Sequence, residues 1–491
     1  MPNWTEEQKR AIYESGKNIL VSAGAGSGKT AVLTERVVQK LKSGVHIDEL
    51  LILTFTNAAS LEMKERIRNN IKKDERLKEE LKRIDAAYIT TFDSFALSIL
   101  KKYHYKKNLS SHVRIIDSSV IELLKRNILT DIFEEYYEQK DEKFLNFIRT
   151  FSSKDDLKIK ENILSLYRKI SERLDKIDYL KNYIKNHSNP EFKTVLKESY
   201  QNFTNQKKME LYEDLKALKL EESNDFYTKM EDIIENILQN HSSFDVRLPN
   251  VPKDSSSNLK KIKDKMKEKI DFLKDFPSID ESLDSYKKTF SYTEIICEIL
   301  LKLDDRITSF KLKEEAFEFI DIELLATRLI LENDDIKEEL KNKFHEILID
   351  EYQDTNDLQE FFISLIQNHN VYMVGDIKQS IYRFRNANPN IFKDKYDTFK
   401  ENKLGIKIDM NQNFRSRKEV IDDINHLFEN LMTEKSGIHY RLEHQMHASN
   451  PIYSTYHPEN DYHLKVLTYE ENNIPKEEVE ATIIALDILK K

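Results

Sequence analysis

Eight glycines occur in 491 residues, and none lies between Gly44 and Gly375. Glycine supplies the left-handed backbone of tight turns and disfavours a helix interior by about 1 kcal/mol relative to alanine. So long a glycine-free span, poor in proline and rich in Lys, Glu, Leu and Ile, predicts a mostly helical region. Three of the glycines instead crowd into "SAGAGSGKT" (Ser22–Thr30). The chain therefore combines a long helical stretch with one glycine-rich loop near its start. Its length suits two to four domains, and its 39% hydrophobic content supports real cores. Charged residues make up 34%, mean hydropathy is -0.64, and no apolar run approaches the ~20 residues that span a bilayer. The opening "MPNWTEEQKR" has no apolar segment of the signal-peptide kind. The single cysteine, Cys297, excludes a disulfide framework or cysteine metal site. It is expected to be a buried small hydrophobe in a reducing, cytoplasmic protein. A net charge of -9 does not advertise nucleic-acid binding, but phosphate contacts need only a local basic track.

Five short apolar runs predict buried strands: Asn18–Ser22, Leu50–Thr54, Ala87–Thr91, Glu346–Asp350 and Asn370–Val374. The first three alternate with helical patterns such as "AVLTERVVQKLK", which argues for a parallel sheet covered by helices on both faces. Between the third and fourth strands lies an insertion expected to be all-helical. It opens with a capping box from Ser119 to Glu122 and an apolar stripe of Val120, Leu123, Leu124, Ile128 and Ile132. A polar, turn-rich interval near 240–258 is expected to separate two helical groups. After about residue 400, "LGIKIDMNQNF" and a following helix read as a new α/β segment.

The glycine-rich loop sits between a strand and a helix and ends in Gly28, Lys29 and Thr30, with Ala23 at the position where the phosphate-loop pattern has its first glycine. Small residues let backbone N–H groups close around phosphate oxygens at a helix N-terminus, and Lys29 and Thr30 would serve the β- and γ-phosphates and Mg²⁺. "EILIDEYQDTN" ends a strand in Asp350 and Glu351, which suit Mg²⁺ binding and the orientation of an attacking water; a lone acidic pair opening a helix would look the same. Arg415 in "NQNFRSRKEV" could place a cation on a γ-phosphate, although Arg415 or Arg417 could equally be a surface ion-pair residue. "TFTNAAS" and "ITTFDSF" offer hydroxyls and rings after strands, suited to single-stranded nucleic acid or to plain helix caps. The lysine-rich run 259–276 could touch a DNA backbone, but its interleaved acidic residues favour an ordinary solvated helix face. "GDIKQSIYRFRNA" (Gly375–Ala387) packs Gln379, Tyr382, Arg383, Phe384 and Arg385 into one loop, a mixture that a plain surface loop does not need.

Taken together, from Trp4 to about Met432, these motifs resemble superfamily 1A helicases, the UvrD/Rep/PcrA/RecB group, and within it the AddA type found in helicase–nucleases. "KQSIYRFR" is the most specific piece. The resemblance implies an α/β fold: a RecA-like P-loop motor domain (1–109 plus 341–398), an all-helical insertion (110–340) and the start of a second RecA-like domain (399–491) that carries Arg415. It implies catalytic roles for Lys29, Asp350, Glu351, Gln379 and Arg415. ATP would contact Gln8, Ala23, Gly24, Ala25, Gly26, Ser27, Gly28, Lys29, Thr30 and Phe414, with Mg²⁺ on Thr30 and Asp350. DNA would contact Phe55, Thr56, Asn57, Thr91, Phe92, Tyr382 and Phe384. Asp93 departs from the group's usual histidine, and a carboxylate there would repel phosphate. The implied activity is that of an ATP-dependent 3′–5′ DNA helicase within a helicase–nuclease of double-strand break repair by homologous recombination, with an AddB/RexB-type partner. Later helicase motifs and a nuclease domain are not found, so an N-terminal portion is expected. The alternatives are a stand-alone UvrD-type repair helicase and a non-catalytic ATP- and DNA-binding fragment.

Overall fold

The computed structural model describes residues 4–152, 154–187, 189–221, 225–239, 246–251, 257–401, 404–432, 440–453 and 475–489. The chain forms two compact units, one from residues 1–115 and 317–491, the other Ile116–Ala316.

The first unit is built on six strands: β1 (Asn18–Ala23), β2 (Leu50–Thr54), β3 (Tyr88–Thr91), β4 (Glu346–Ile349), β5 (Val371–Gly375) and β6 (Gly405–Met410). Their spatial order is β3-β2-β4-β5-β1-β6, and every pairing is parallel. The strands read as unbroken apolar runs because both faces are covered. Successive side chains point to opposite faces. Leu20, Leu51, Leu53, Ile347 and Ile349 thus enter one core, with Phe95, Ile330 and Phe362 from helices. Ile19, Val21, Ile52, Leu348 and Tyr372 enter the other, with Val37 and Ile67.

Two boundaries differ from the sequence reading. The helical insertion ends at Ala316 rather than 340, because helices Phe319–Glu332 and Asp334–Lys343 bury Ile322, Ile330, Ile336 and Leu340 in the sheet's core. The strand after 400 joins the first sheet, and only beyond it do Gln412–Asn413 and His447–Ala448 pair in a separate two-stranded parallel sheet. β6 pairs with β1 from Asn18↔Gly405 to Ala23↔Met410, so Arg415 belongs to the same unit as Lys29.

The unit Ile116–Ala316 has two helical cores. One gathers helices between Ser118 and His187 around the second half of helix Ile279–Glu314; the other joins Pro190–Glu221, Asp225–Gln239 and Ser257–Asp275. The interval near 240–258 therefore lies within the second group instead of dividing two; its residues 240–245 and 252–256 lie outside the described ones. Helix Ser118–Gln139 is capped by Asp117, whose side chain accepts from the Ser119 backbone, in place of the expected box at Ser119. Its buried stripe is Ile121, Leu129, Ile132 and Phe133, while Val120 and Leu123 are exposed. In the lysine-rich helix, Leu259, Met266, Ile270 and Leu273 are core, and Lys265 and Lys269 pair with Asp214. Cys297 is buried. Among the described residues no helix is long and apolar enough to cross a membrane.

One buried ion pair ties the sheet to its helices. Arg36 is fully buried; its guanidinium grips Glu346 of β4 through two nitrogens, donates to the Ala11 and Ile12 carbonyls, and lies 4.2 Å from the Tyr372 ring centroid. Removing one partner of such a pair strands a buried charge. Glu346→Ala is expected to destabilise this unit by about 3–5 kcal/mol, while Glu6→Ala, which breaks only an exposed pair with Lys9, should leave the unfolding midpoint almost unmoved. Urea unfolding followed through Trp4, the single tryptophan and packed against this core, checks both. Equal midpoints for the two variants would contradict the assignment.

Candidate nucleotide and nucleic-acid site

Because the strands are parallel, their C-terminal ends share one edge, where ligands bind in open α/β sheets. The phosphate loop leaves β1 at Ala23. Gly26 and Gly28 hold φ values of +72° and +87°, the left-handed region open mainly to glycine. The Gly24 N–H donates to the Met410 carbonyl (3.3 Å) and the Ser27 N–H to the Gly24 carbonyl (3.2 Å). Ser27 Oγ is buried without a partner among the described residues. Gln8 is fixed by a reciprocal cap with Thr5, and its Nε2 donates to the Ser27 carbonyl (3.0 Å). It braces the loop from beneath.

Lys29 points to the end of β4, where its Nζ meets Glu351 Oε2 at 3.0 Å. Glu351 holds a left-handed backbone (φ +49°). Thr30, Asp350, Glu351, Asp354 and Gln379 line a cleft of about 400 Å³ whose wall also carries Phe55, Thr56 and Tyr382. Three carboxylates crowd here. Burial, reinforced by the Glu351 charge, pushes the Asp350 carboxyl up to about 6, and the same two causes in the same order raise Asp354 to about 6. Acidic oxygens that resist ionising together are a donor set for a hard divalent cation. Among the described residues no group of three or more His, Cys, Asp or Glu forms a ready metal cage; Mg²⁺ is commonly held by one or two protein oxygens plus water and phosphate. The residues lining the cleft fit Mg²⁺ in that manner.

Gln353, which the sequence reading passed over, joins two strand ends. Its Nε2 donates to Glu351 Oε2 (2.9 Å) and Asp354 Oδ2 (3.2 Å), and its Oε1 accepts from the Asp376 N–H (3.0 Å). A Cβ on Gly375 would lie 2.4 Å from that Oε1, so the contact requires glycine at 375. Buried Asp376 in turn accepts from Gln379 Nε2 (2.8 Å) and pairs with Lys378 (2.7 Å). Burial opposes its ionisation, but the Lys378 charge and these hydrogen bonds prevail and hold it below the usual carboxylate range.

Past Gln379, the Tyr382 ring lies 4.6 Å from Phe55 and 5.7 Å from Phe384; Phe384 is 77% exposed. The Arg385 side chain lies outside the described ones. Thr56 and Thr91 cap the helices Asn57–Ile71 and Phe92–Lys102, and Asn57 is exposed at the first of these ends. Thr91, Phe92 and Asp93 line a second pocket of about 230 Å³ that shares Asp350 and Glu351 with the first. Asp93 there faces Glu323, which is buried and accepts from Gln359 Nε2 (2.8 Å).

Arg415 stands just after β6. Its guanidinium has no partner among the described residues, whereas Arg417 lies 3.5 Å from Glu419. The Arg417 and Glu419 side chains are only 17% and 16% exposed, so theirs is not a surface ion pair. Phe414 donates its N–H to the Gly26 carbonyl (2.9 Å), which sets Arg415 beside the phosphate loop. A Cβ on Gly24 would lie 2.0 Å from Met446 Sδ; Met446 is seated by Asn425, whose Nδ2 donates to its carbonyl (2.8 Å). Asn413 and Gln353 are amides visible in the motifs, but nothing in the sequence marks Asn425 or Met446.

Burial first, then the Asp93 charge, raises the Glu323 carboxyl above its ordinary range. A carboxyl whose folded pKa exceeds the unfolded value of about 4.3 destabilises the fold increasingly as pH rises between the two. Glu323→Gln keeps an acceptor for Gln359 and a donor for Asp93. It is expected to raise the melting temperature at pH 8 and to do so progressively less towards pH 5. A pH-independent difference would show that Glu323 does not hold a proton in the fold.

Comparison with known proteins agrees with this geometry. Residues 4–400 match the UvrD/REP helicase N-terminal domain. A protein from Clostridium botulinum (strain Alaska E43 / Type E3), named as the A component of an ATP-dependent helicase/nuclease, is 34% identical over 88% of this chain and 40% of its own length. The protein of the same name from Streptococcus agalactiae serotype Ia is 33% identical over 99% of this chain and 44% of its own. That from Clostridioides difficile (strain 630) is 32% identical over 89% and 39%. The chain thus spans about two-fifths of the length of these relatives. With a parallel sheet, a phosphate loop on β1 and paired carboxylates ending β4, the chain belongs to the UvrD/REP helicase family, through its N-terminal domain.

Proposed function

We propose that this chain is the nucleotide-binding part of an ATP-driven motor that moves 3′ to 5′ along single-stranded DNA. We further propose that it serves as the AddA-type component of a helicase–nuclease in homologous-recombination repair of double-strand breaks, beside an AddB/RexB-type partner. The observation that carries the reading is the shared cleft, which Thr30, Asp350, Glu351 and Gln379 line together with Phe55 and Tyr382. The relatives' name supports the helicase–nuclease assignment.

ATP phosphates would sit on the loop's N–H groups at the N-terminus of helix Lys29–Lys42, with adenine near Gln8 and Phe414. Incoming phosphates would draw Lys29 away from Glu351. The freed Glu351 can then orient a water and accept its proton as the new phosphorus–oxygen bond forms and the bond to ADP breaks. Mg²⁺, on Thr30 and Asp350, would neutralise phosphate charge. Arg415, lying on this same unit, would place its guanidinium on the γ-phosphate. Bases would stack on Phe55, Tyr382 and Phe384, while the helix ends capped by Thr56 and Thr91 suit backbone phosphates. Gln379 stands between nucleotide and rings, where it can report one to the other.

Lys29→Ala is expected to abolish ATP binding; unchanged affinity in a fluorescent-nucleotide titration would sink the phosphate-loop assignment. Gln379→Ala should keep nucleotide affinity within about threefold while lowering DNA-stimulated hydrolysis by about tenfold or more, as expected when a transition-state contact is lost. Normal stimulation by single-stranded DNA would remove its coupling role.

A further inference from the structure

We infer that Asn413 is a positioning residue that couples the phosphate loop to Arg415, an inference that rests on the nucleotide site proposed above. Asn413 is 3% exposed and its side chain works in two directions. Its Nδ2 donates to the Ala25 carbonyl at 2.7 Å, the tip of the phosphate loop. Its Oδ1 accepts from the Arg415 N–H at 2.9 Å and the Ser416 N–H at 2.8 Å. One rigid amide thereby spans the loop and the backbone that carries the Arg415 guanidinium. A shift of the Ala25 peptide moves the amide, and the amide moves Arg415.

The approach is as close as chemistry allows. A Cβ on Gly26 would lie 2.8 Å from both Asn413 Nδ2 and Arg415 Cβ, so the junction closes only over glycine. The far side is backed as well. The Asn413 carbonyl accepts from the Ser449 N–H (2.8 Å), and Asn450 Nδ2 donates to the Phe414 carbonyl (2.7 Å). With its back held, Asn413 transmits displacement instead of absorbing it. The main-chain bond from Phe414 to Gly26 fixes distance, and the Asn413 side chain ties the N–H groups of the two peptides that follow Phe414 to the phosphate loop.

A double-mutant cycle separates Asn413 from a packing residue. In the natural protein, Asn413→Ala is expected to slow single-turnover ATP hydrolysis by about tenfold to a hundredfold, the scale of a misplaced catalytic group, with nucleotide affinity changed less than about threefold. In an Arg415→Ala background the same substitution is expected to have under a twofold further effect; additive losses overturn the inference. Asn413→Asp supplies a second arm that does not need Arg415 to be catalytic, since it keeps the acceptor for Arg415 and Ser416 and loses the donor to Ala25. ADP·Mg²⁺ should slow amide exchange at Arg415 and Ser416 in the wild type and leave it unchanged in Asn413→Asp. A nucleotide response that survives in Asn413→Asp also overturns the coupling. If Arg415→Ala hydrolyses ATP normally, the catalytic assignment of Arg415 fails and the exchange arm still decides on Asn413. If the wild type binds no nucleotide, both fall together.

Discussion

Parallel pairing of all six strands is the constraint on which everything else here depends. It brings six loops to one edge. β1 lies inside the sheet, flanked by β5 and β6, so the phosphate loop is set between the loop of Gln379 and the turn of Arg415. β4, beside β5, delivers Asp350 and Glu351; β2 and β3 deliver Phe55 and Phe92 farther along the same edge. The proposed nucleotide and nucleic-acid surfaces are neighbours because the strands that end in them are neighbours.

Electrostatics holds this edge in a resting arrangement. Lys29 answers one of three crowded carboxylates, and Asp350 and Asp354 are held towards their neutral forms by burial and by Glu351. In the proposed cycle phosphates compete with Glu351 for the lysine, so arrival of a polyanion changes the protein's own ion pairing. Gln353 carries such a change onward, since it bonds Glu351 at one end and the Asp376 backbone at the other.

The strands, the phosphate loop and the acidic pair were legible because each depends on local pattern: apolar runs, small residues before Lys29, carboxylates closing a strand. The ends of the insertion were not, because helices Phe319–Glu332 and Asp334–Lys343 resemble insertion helices in sequence and differ only in the core they enter. The stripe on helix Ser118–Gln139 was misplaced for a similar reason. Val120 and Leu123 are as apolar as Ile121 and Leu129, and only the packing decides which face is buried. Asp93 reads as a charge hostile to phosphate until Glu323, far away in sequence, is seen to face it.

By itself the sequence determined which residues are candidates for the chemistry and in what order they come, because a glycine-rich turn, a terminal lysine and strand-end carboxylates follow from short-range sterics and hydropathy. Only the tertiary structure decided which strand lies beside β1. Partners in a parallel sheet are joined through long crossovers, so their order is invisible to local pattern. That single choice puts β6 next to β1, sets Arg415 on the same unit as Lys29, and lets one buried asparagine bond the phosphate loop at Ala25 and the backbone of Arg415.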